Sequence, residues 1–333
     1  MILITGATGF LGHNLVPQLV AAGYKVRALV RPTSDSRFLQ ALGAELAFTE
    51  DITDGYAALQ AMKGCRQVIH AAGLFRFWGE AHHFWQTNVG GTTAVLNAAL
   101  AEQVEKFIYI SSIAVVGRTP TQSIIDENTT CRPQEPYQLS KLEAETRVLA
   151  YHQEGLPAIV LRPGAFYGPW GRYAFNRLFF EEPLKGWRIK VDGGQHIIFP
   201  VFVPDVAQGI MLALAKGRVG EIYNICGYSL THNEANDIVS DLAGIHRWRI
   251  NMPTWVVLAL ARNWTRLSQV TRKEPFYPIN MAPYVFQDWP VSIAKAEREL
   301  GFVPTPFAEG ACQTMKWYKE QGILKLHRFT GGD

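Results

Sequence analysis

Residues 1–12 read MILITGATGFLG, and this stretch decides the fold. A short apolar run at 2–5 breaks into Gly6-x-x-Gly9-x-x-Gly12, and Phe10-Leu11 open an amphipathic stretch over 11–22. Strand, glycine turn and helix start together form a cradle for a diphosphate. The first glycine permits the sharp turn, and the others let backbone reach the phosphates at the helix N-terminus. A glycine triplet alone carries little weight, because any tight βα turn can use glycine. Its place directly between strand and helix is what points to a dinucleotide. Gly6, Thr8, Gly9, Phe10, Leu11 and Gly12 are the first expected cofactor contacts.

Outward from this stretch, β-type runs recur at 25–30 (KVRALV), 44–48 (AELAF), 67–72 (QVIHAA) and 106–112 (KFIYISS). Helical periodicity lies between them, clearest at 11–22 and 92–102. Strands alternating with helices predict an α/β fold of the Rossmann type, a doubly wound parallel sheet. Such sheets bind ligands beyond their C-terminal strand ends, where Gly6, Arg31, Asp51, His70 and Ser112 fall. A sixth run, 157–163 (PAIVLRP), is followed by an aromatic and glycine-rich stretch at 164–200. A further strand and helix are expected over 199–215 and another strand over 221–226. From about 230 the pattern is helical with many prolines. The reading is a dinucleotide-binding domain at 1–163 and 199–226, and a smaller, discontinuous substrate lobe at 164–198 and 227–324. Residues 325–333 read as a frayed tail.

Composition narrows the class. With 48% hydrophobic and 18% charged residues in 333, the chain can bury a sizeable core. A net charge of +3 without any block of like charges argues against nucleic acid. Cys65, Cys131, Cys226 and Cys312 are dispersed, so neither a metal site nor a disulfide framework is expected. A reduced, cytoplasmic setting follows as the default. The first strand leaves no room for a secretory leader. No apolar run approaches the ~20 residues of a membrane span. The nearest, 255–261 (WVVLALA), reads either as a core helix or as an oily rim facing a lipophilic substrate or a membrane surface.

Two further patterns bear on chemistry. An acidic residue about 20 positions beyond the glycines suits the ribose 2′-hydroxyl of NAD, whereas an arginine suits the 2′-phosphate of NADP. Here the second strand ends Val30-Arg31-Pro32, with Arg37 onward and Asp35 between, which favours NADP and leaves NAD possible. Tyr137-Gln-Leu-Ser-Lys141 opens a predicted helix at 137–154, and the i, i+4 spacing puts phenol and ammonium on one face. An adjacent ammonium lowers a phenol's pKa from its ordinary value near 10, toward use as a general acid or base. Ser112, at the end of a strand, can hydrogen-bond the reacting oxygen.

With these residues in view, the chain resembles the extended short-chain dehydrogenase/reductases. The resemblance rests on Gly6-x-x-Gly9-x-x-Gly12, Asp51-Ile52, His70-Ala-Ala-Gly73, Asn88-Val-Gly-Gly-Thr92, Ser111-Ser112, Tyr137/Lys141, Leu161-Arg-Pro163, Tyr167-Gly-Pro169 and Val203-Pro-Asp205, and extends to 317–322. It implies Tyr137 as proton donor and acceptor, Lys141 as ribose ligand and tuner of Tyr137, and Ser112 as polariser of the substrate oxygen. It also implies Asn88 as support for the site, Asp51 and Ile52 beside the adenine, Ala71, Ala72 and Gly73 along the cofactor, and Pro163 against the nicotinamide. Family members often pair through the helices at 92–102 and 137–154, so a homodimer is possible.

Nucleotide-sugar members typically carry an asparagine where this chain has Ala165, and an arginine near the place of Ile198, both for the diphosphate. The surroundings here are aromatic instead, and Phe75, Trp78, Ala165, Phe166 and Phe175 are the expected substrate wall. Arg172, Arg177 and Arg188 dissent, since each can hold an anion. Within the family the chain is most similar to dihydroflavonol-reductase-like and 3β-hydroxysteroid-dehydrogenase-like proteins. An Arg76-Phe-Trp78 stretch is shared with a hopanoid-associated group named as epimerases. The leading expectation is an NADP-dependent oxidoreductase of a hydrophobic secondary alcohol or ketone. The alternatives are a nucleotide-sugar epimerase or dehydratase with retained cofactor, and, remotely, a non-catalytic NADP-sensing regulator.

Overall fold

The computed structural model describes residues 1–118 and 123–323; the tail at 325–333 lies outside the described residues. Strands β1 (Ile2–Thr5), β2 (Val26–Val30), β3 (Glu45–Phe48), β4 (Gln67–His70), β5 (Lys106–Ile110) and β6 (Ala158–Pro163) join an edge strand, Ile222–Ile225, in one seven-stranded sheet. Every pairing in it is parallel, and the order is 222–225, β6, β5, β4, β1, β2, β3. The order in which strands are added reverses between β1 and β4, so the loops leaving these parallel neighbours part and open a crevice at their C-terminal ends. The sheet is covered on both faces, and all four residues of β1 are buried accordingly. One layer packs α1 (Phe10–Ala21) and the helix Val203–Lys216 against it; the other packs the helices Gly55–Met62, Gly91–Ala101 and Pro136–Gln153.

The expected strands at 67–72 and 106–112 end two residues early, although Ala71 N–H still bonds the Thr5 carbonyl (3.3 Å) and Ser111 N–H the Leu161 carbonyl (2.7 Å). Pro200–Phe202 does not join the main sheet but pairs with Ala165–Tyr167. A separate hydrophobic core gathers Tyr167, Phe179, Phe180, Val239, Met315 and Tyr318 from distant parts of the chain. Phe175 belongs to it, stacked on Phe179 at 4.1 Å, and so faces a core rather than the expected substrate wall.

Candidate active site

Gly6 has φ +74°, a conformation costly for any residue with a Cβ, and a Cβ there would meet the Ala71 and Ala72 backbone at 2.8–2.9 Å. A Cβ on Gly12 would lie 1.9 Å from the Ala7 carbonyl oxygen. The glycines therefore bring the β1 turn, the β4 exit and the start of α1 together. That helix starts at Gly9 without a side-chain cap and without an acidic residue in its first turn, so it presents backbone N–H groups to the crevice. This donor set fits a diphosphate.

A hydrogen-bonded chain crosses the crevice floor. Ala72 N–H donates to Thr5 Oγ1 (3.1 Å), Thr5 pairs with His70 Nδ1 (2.7 Å), and His70 Nε2 meets Thr92 Oγ1 (3.0 Å), which donates to the Asn88 carbonyl (2.6 Å). Because the Thr92 proton is committed to Asn88, Nε2 must carry the histidine proton and Nδ1 must accept from Thr5. His70 is thus a neutral bridge between β1 and the Asn88 segment. Burial, with the nearby Lys141 charge, pushes its pKa down to about 3. The unfolded chain binds a proton near pH 6.5, so this group's contribution is intact above that pH and lost as pH falls toward 3. Between pH 6.5 and 5, wild type is expected to lose roughly 2 kcal/mol that a His70→Asn variant does not lose. Equal slopes in denaturant titrations at the two pH values would reject the neutral-bridge assignment.

Asn88 lies in a π-helical turn, Trp85–Gly90, an irregularity often found beside functional sites. Its Oδ1 accepts from Leu74 N–H (2.7 Å), and its Nδ2 donates to the Leu74 carbonyl (3.1 Å) and to Ser140 Oγ (2.9 Å). It clamps the 71–74 loop to the Tyr137 helix, which makes it a positioning residue. The helix Pro136–Gln153 starts at Glu135, whose buried carboxylate accepts from the Tyr137 and Gln138 N–H groups. Tyr284, from the far end of the chain, donates to the same carboxylate at 2.5 Å.

Tyr137 is half-buried, with its ring edge-on to Phe75 at 4.8 Å. Burial raises its pKa above the ordinary phenol value, while the Ser112 hydroxyl pulls it down. Lys141 is buried; its ammonium donates to Tyr109 Oη (2.8 Å) and to the Ile110 carbonyl (2.7 Å). Burial takes its pKa down to about 7, and the Glu145 carboxylate opposes that fall. Glu145 pairs with Arg162 (Nη2–Oε1 2.5 Å) and accepts from Ser111 Oγ (2.6 Å), with both charged side chains under 5% exposed. Ser112, Tyr137 and Lys141 thus sit together at the C-terminal end of β5, and Pro163 closes the end of β6. Glu135, Glu145, Tyr109 and Tyr284 are functional neighbours that sequence reasoning missed. The i, i+4 spacing of Lys141 and Glu145 was the one available signal.

An aromatic wall continues from Phe75 to Phe77 (5.1 Å), Tyr173 (5.8 Å) and, through Phe77, Tyr284 (5.3 Å). Beside it a cleft of about 520 Å³ is lined by Leu74, Arg76, Trp78, His83, Phe84 and Glu274, among others. Trp78 lines this cleft, its indole N–H donating to Ser268 Oγ (3.0 Å). Ala165 and Phe166 lie on the short strand Ala165–Tyr167, and Phe166 meets Phe10 edge-on at 6.0 Å near the glycine turn.

A family model for the NAD dependent epimerase/dehydratase family matches residues 2–226. The chain belongs to that family. Its fold and motifs are those of the extended short-chain dehydrogenase/reductases. Among curated relatives, "Sterol demethylase protein B" of Methylococcus capsulatus is 30% identical over 335 residues, covering 97% of this chain and 99% of that protein. A 4-hydroxy-2-methyl-3-oxo-4-farnesyl-3,4-dihydroquinoline-1-oxide ketoreductase of Stigmatella aurantiaca is 30% identical, covering 90% of each. A solved dTDP-glucose 4,6-dehydratase, DesIV of Streptomyces venezuelae with NAD and TYD bound, aligns at TM-score 0.78 and 27% identity, covering 97% of this chain and 98% of that one.

Members of the epimerase/dehydratase family depend on NAD(P), and the uncapped α1 turn is where such a cofactor's diphosphate fits. The ribose end is less uniform than the sequence suggests. Arg37 turns to Asp35 (Nε–Oδ1 2.9 Å, Nη2–Oδ2 2.5 Å), both exposed, whereas Arg31 is exposed at the end of β2 with no ion pair among the described residues. Asp51 is exposed, accepting from Thr53 N–H and from Gln86, and Ile52 packs beside Gly91. Of the three dissenting arginines, Arg172 pairs with Glu181 (2.6 Å) and Arg177 with Glu182 (3.3 Å), while Arg188 donates to the His246 carbonyl at 3.5 Å.

Proposed function

We propose that the chain is a reversible NADP-linked oxidoreductase of a hydrophobic secondary alcohol or ketone. The observation that carries this reading is the placement of the Tyr137 phenol against an aromatic wall of Phe75, Phe77 and Tyr173. An apolar wall with few polar anchors selects a flat or greasy substrate. Gly6 to Gly12 and Arg31 would hold the cofactor, which supplies or accepts the hydride at the carbonyl carbon. Tyr137 Oη gives its proton to the carbonyl oxygen, and the Ser112 hydroxyl hydrogen-bonds the same oxygen. Lys141, as an ammonium, stabilises the phenolate left behind.

A dehydratase needs a further acid and base, one for the departing hydroxyl and one for the carbon-bound proton. The segment after Ser112 is Ile113-Ala-Val-Val116, wholly apolar and buried. The nearby carboxylate of Glu135 is engaged by two backbone N–H groups and Tyr284. Both facts favour simple carbonyl reduction. The sugar-nucleotide reading is supported by the relatives named dTDP-glucose 4,6-dehydratase. A carbonyl panel of steroids, flavanonols, β-ketoacyl esters and aldehydes, followed by NADPH absorbance, separates the two. Turnover of a lipophilic ketone is expected; melting-temperature increases with UDP- or dTDP-sugars alone would overturn it. The Arg31 position predicts NADP over NAD in KM, and Arg31→Ala is expected to raise KM for NADP about tenfold while sparing NAD. An unchanged KM ratio would remove Arg31 from the 2′-phosphate site.

A further inference from the structure

The helix Thr254–Thr271 buries only Val257, Ala261 and Ser268 of its 18 residues. At 100° per residue these three form a narrow stripe, and Trp255, Val270, Leu267, Leu260 and Trp264 follow one another over the arc that runs from the far side of the helix up to it, with Trp255 at 72% and Val270 at 81% exposure. The patch continues off the helix. Phe276 meets Trp264 at 6.0 Å and Trp187 at 5.6 Å, all three exposed. Trp187 leads into the strand Ile189–Val191, where exposed Ile189 pairs in register with exposed Ile250. Soluble chains rarely leave so much contiguous apolar and indole surface without a use.

Its charge is equally uneven. Residues 247–273 hold six basic and no acidic side chains, while the whole chain is only +3, so the remainder is net negative; Arg247 pairs with Asp237 and Asp241 and Arg249 is buried, which leaves Arg262, Arg266, Arg272 and Lys273 as the exposed cations. Arg262 and Arg266, one turn apart and exposed, flank Trp255 on the far side of the helix from its buried stripe, and Arg272 and Lys273 follow its end. Tryptophans at the rim, aliphatic side chains between them and cations alongside are the attributes of a helix lying in a lipid headgroup region. A second copy is a poor partner, because a two-fold contact would press this cationic surface against itself. A nucleic acid would leave Leu260, Leu267 and Val270 unburied. No helix among the described residues is long and apolar enough to cross a bilayer, so the helix would rest on one.

We propose that the surface formed by Thr254–Thr271, Trp187 and Phe276 docks the protein on anionic phospholipid bilayers. The same helix borders the cleft: Ser268 accepts from Trp78, and Glu274, just beyond the helix, is a cleft-lining residue. Docking therefore sets the cleft mouth near the acyl boundary. This last consequence alone rests on the lipophilic-substrate reading; the binding itself does not.

The test is flotation of the full chain with phosphatidylcholine vesicles, with and without roughly 30 mol% phosphatidylglycerol. Wild type is expected to float with the anionic vesicles, to stay behind with the neutral ones, and to be released by salt. The triple variant Trp255→Ser/Trp264→Ser/Leu267→Ser and the double variant Arg262→Glu/Arg266→Glu should each lower the bound fraction about tenfold with unchanged circular dichroism and NADPH binding. Absence of wild-type flotation would overturn the proposal, as would equal flotation of folded variants. Self-association that the triple variant abolishes, without vesicle binding, would assign the surface to a second copy instead. Each readout is independent of turnover, so failure here leaves the proposed chemistry standing, and the reverse.

Discussion

Replacing Tyr137 by Phe is expected to lower kcat about a thousandfold for any ketone the enzyme reduces, while Kd for NADPH changes less than about threefold. The ring stays, so its edge contact with Phe75 and the packing at the start of the helix persist. What goes is the phenol proton that the proposed mechanism gives to the carbonyl oxygen. Hydride delivery without that proton must leave an alkoxide in a half-buried, aromatic surround, where charge is poorly solvated. Stopped-flow NADPH oxidation and fluorescence titration measure the two quantities separately. Retained turnover would place the proton donor elsewhere, and a lost cofactor site would mean that the phenol acts in binding. Ser112→Ala should behave as a weaker copy, since the hydroxyl only helps to hold the oxygen and to favour the phenolate.

How much of this was legible in the chain depends on the range of the interaction. The glycine turn and the parallel sheet are local patterns, fixed by φ preference and by the alternation of strand and helix, and they stand at the expected numbers; Tyr137 and Lys141 share the helix Pro136–Gln153, and the Lys141 ammonium is bonded to Tyr109 and to the Ile110 carbonyl. Arg37, read as a candidate for the 2′-phosphate with Asp35 noted beside it, gives its fork to Asp35, two residues before it; that spacing was visible, but the turn geometry that closes it was not. Phe175 shows the other limit. Between 166 and 180 aromatic residues are so frequent that composition cannot tell a ligand wall from a core. Phe175 and Phe179 stack into the separate hydrophobic core, whereas Tyr173 accepts from Phe77 N–H at 3.0 Å and donates to the cleft-lining Glu274. Glu135 with Tyr284, and Glu145 with Arg162, are pairings made by tertiary packing; no periodicity encodes them.

Glu145 is the neighbour with the largest consequence. Its carboxylate neutralises Arg162 and lies close enough to Lys141 to hold that ammonium's pKa up against burial. Glu145→Gln is expected to cost about 3–5 kcal/mol of stability, because the Arg162 guanidinium is left in the interior without its anion. It should also lower the Lys141 pKa further below its present value of about 7. Lys141 is useful only as a cation, so the alkaline limb of kcat/KM would begin at lower pH than in wild type. The two effects separate in the double variant Glu145→Met/Arg162→Met. Removing both charges together is expected to restore most of the stability, since an apolar pair of similar volume replaces a desolvated ion pair. The pH limb should not recover, because no anion faces Lys141. A double variant that melts like wild type and keeps the wild-type pH profile would reduce Glu145 to scaffolding. A limb displaced in both variants would make it the residue that keeps Lys141 charged beside Tyr137.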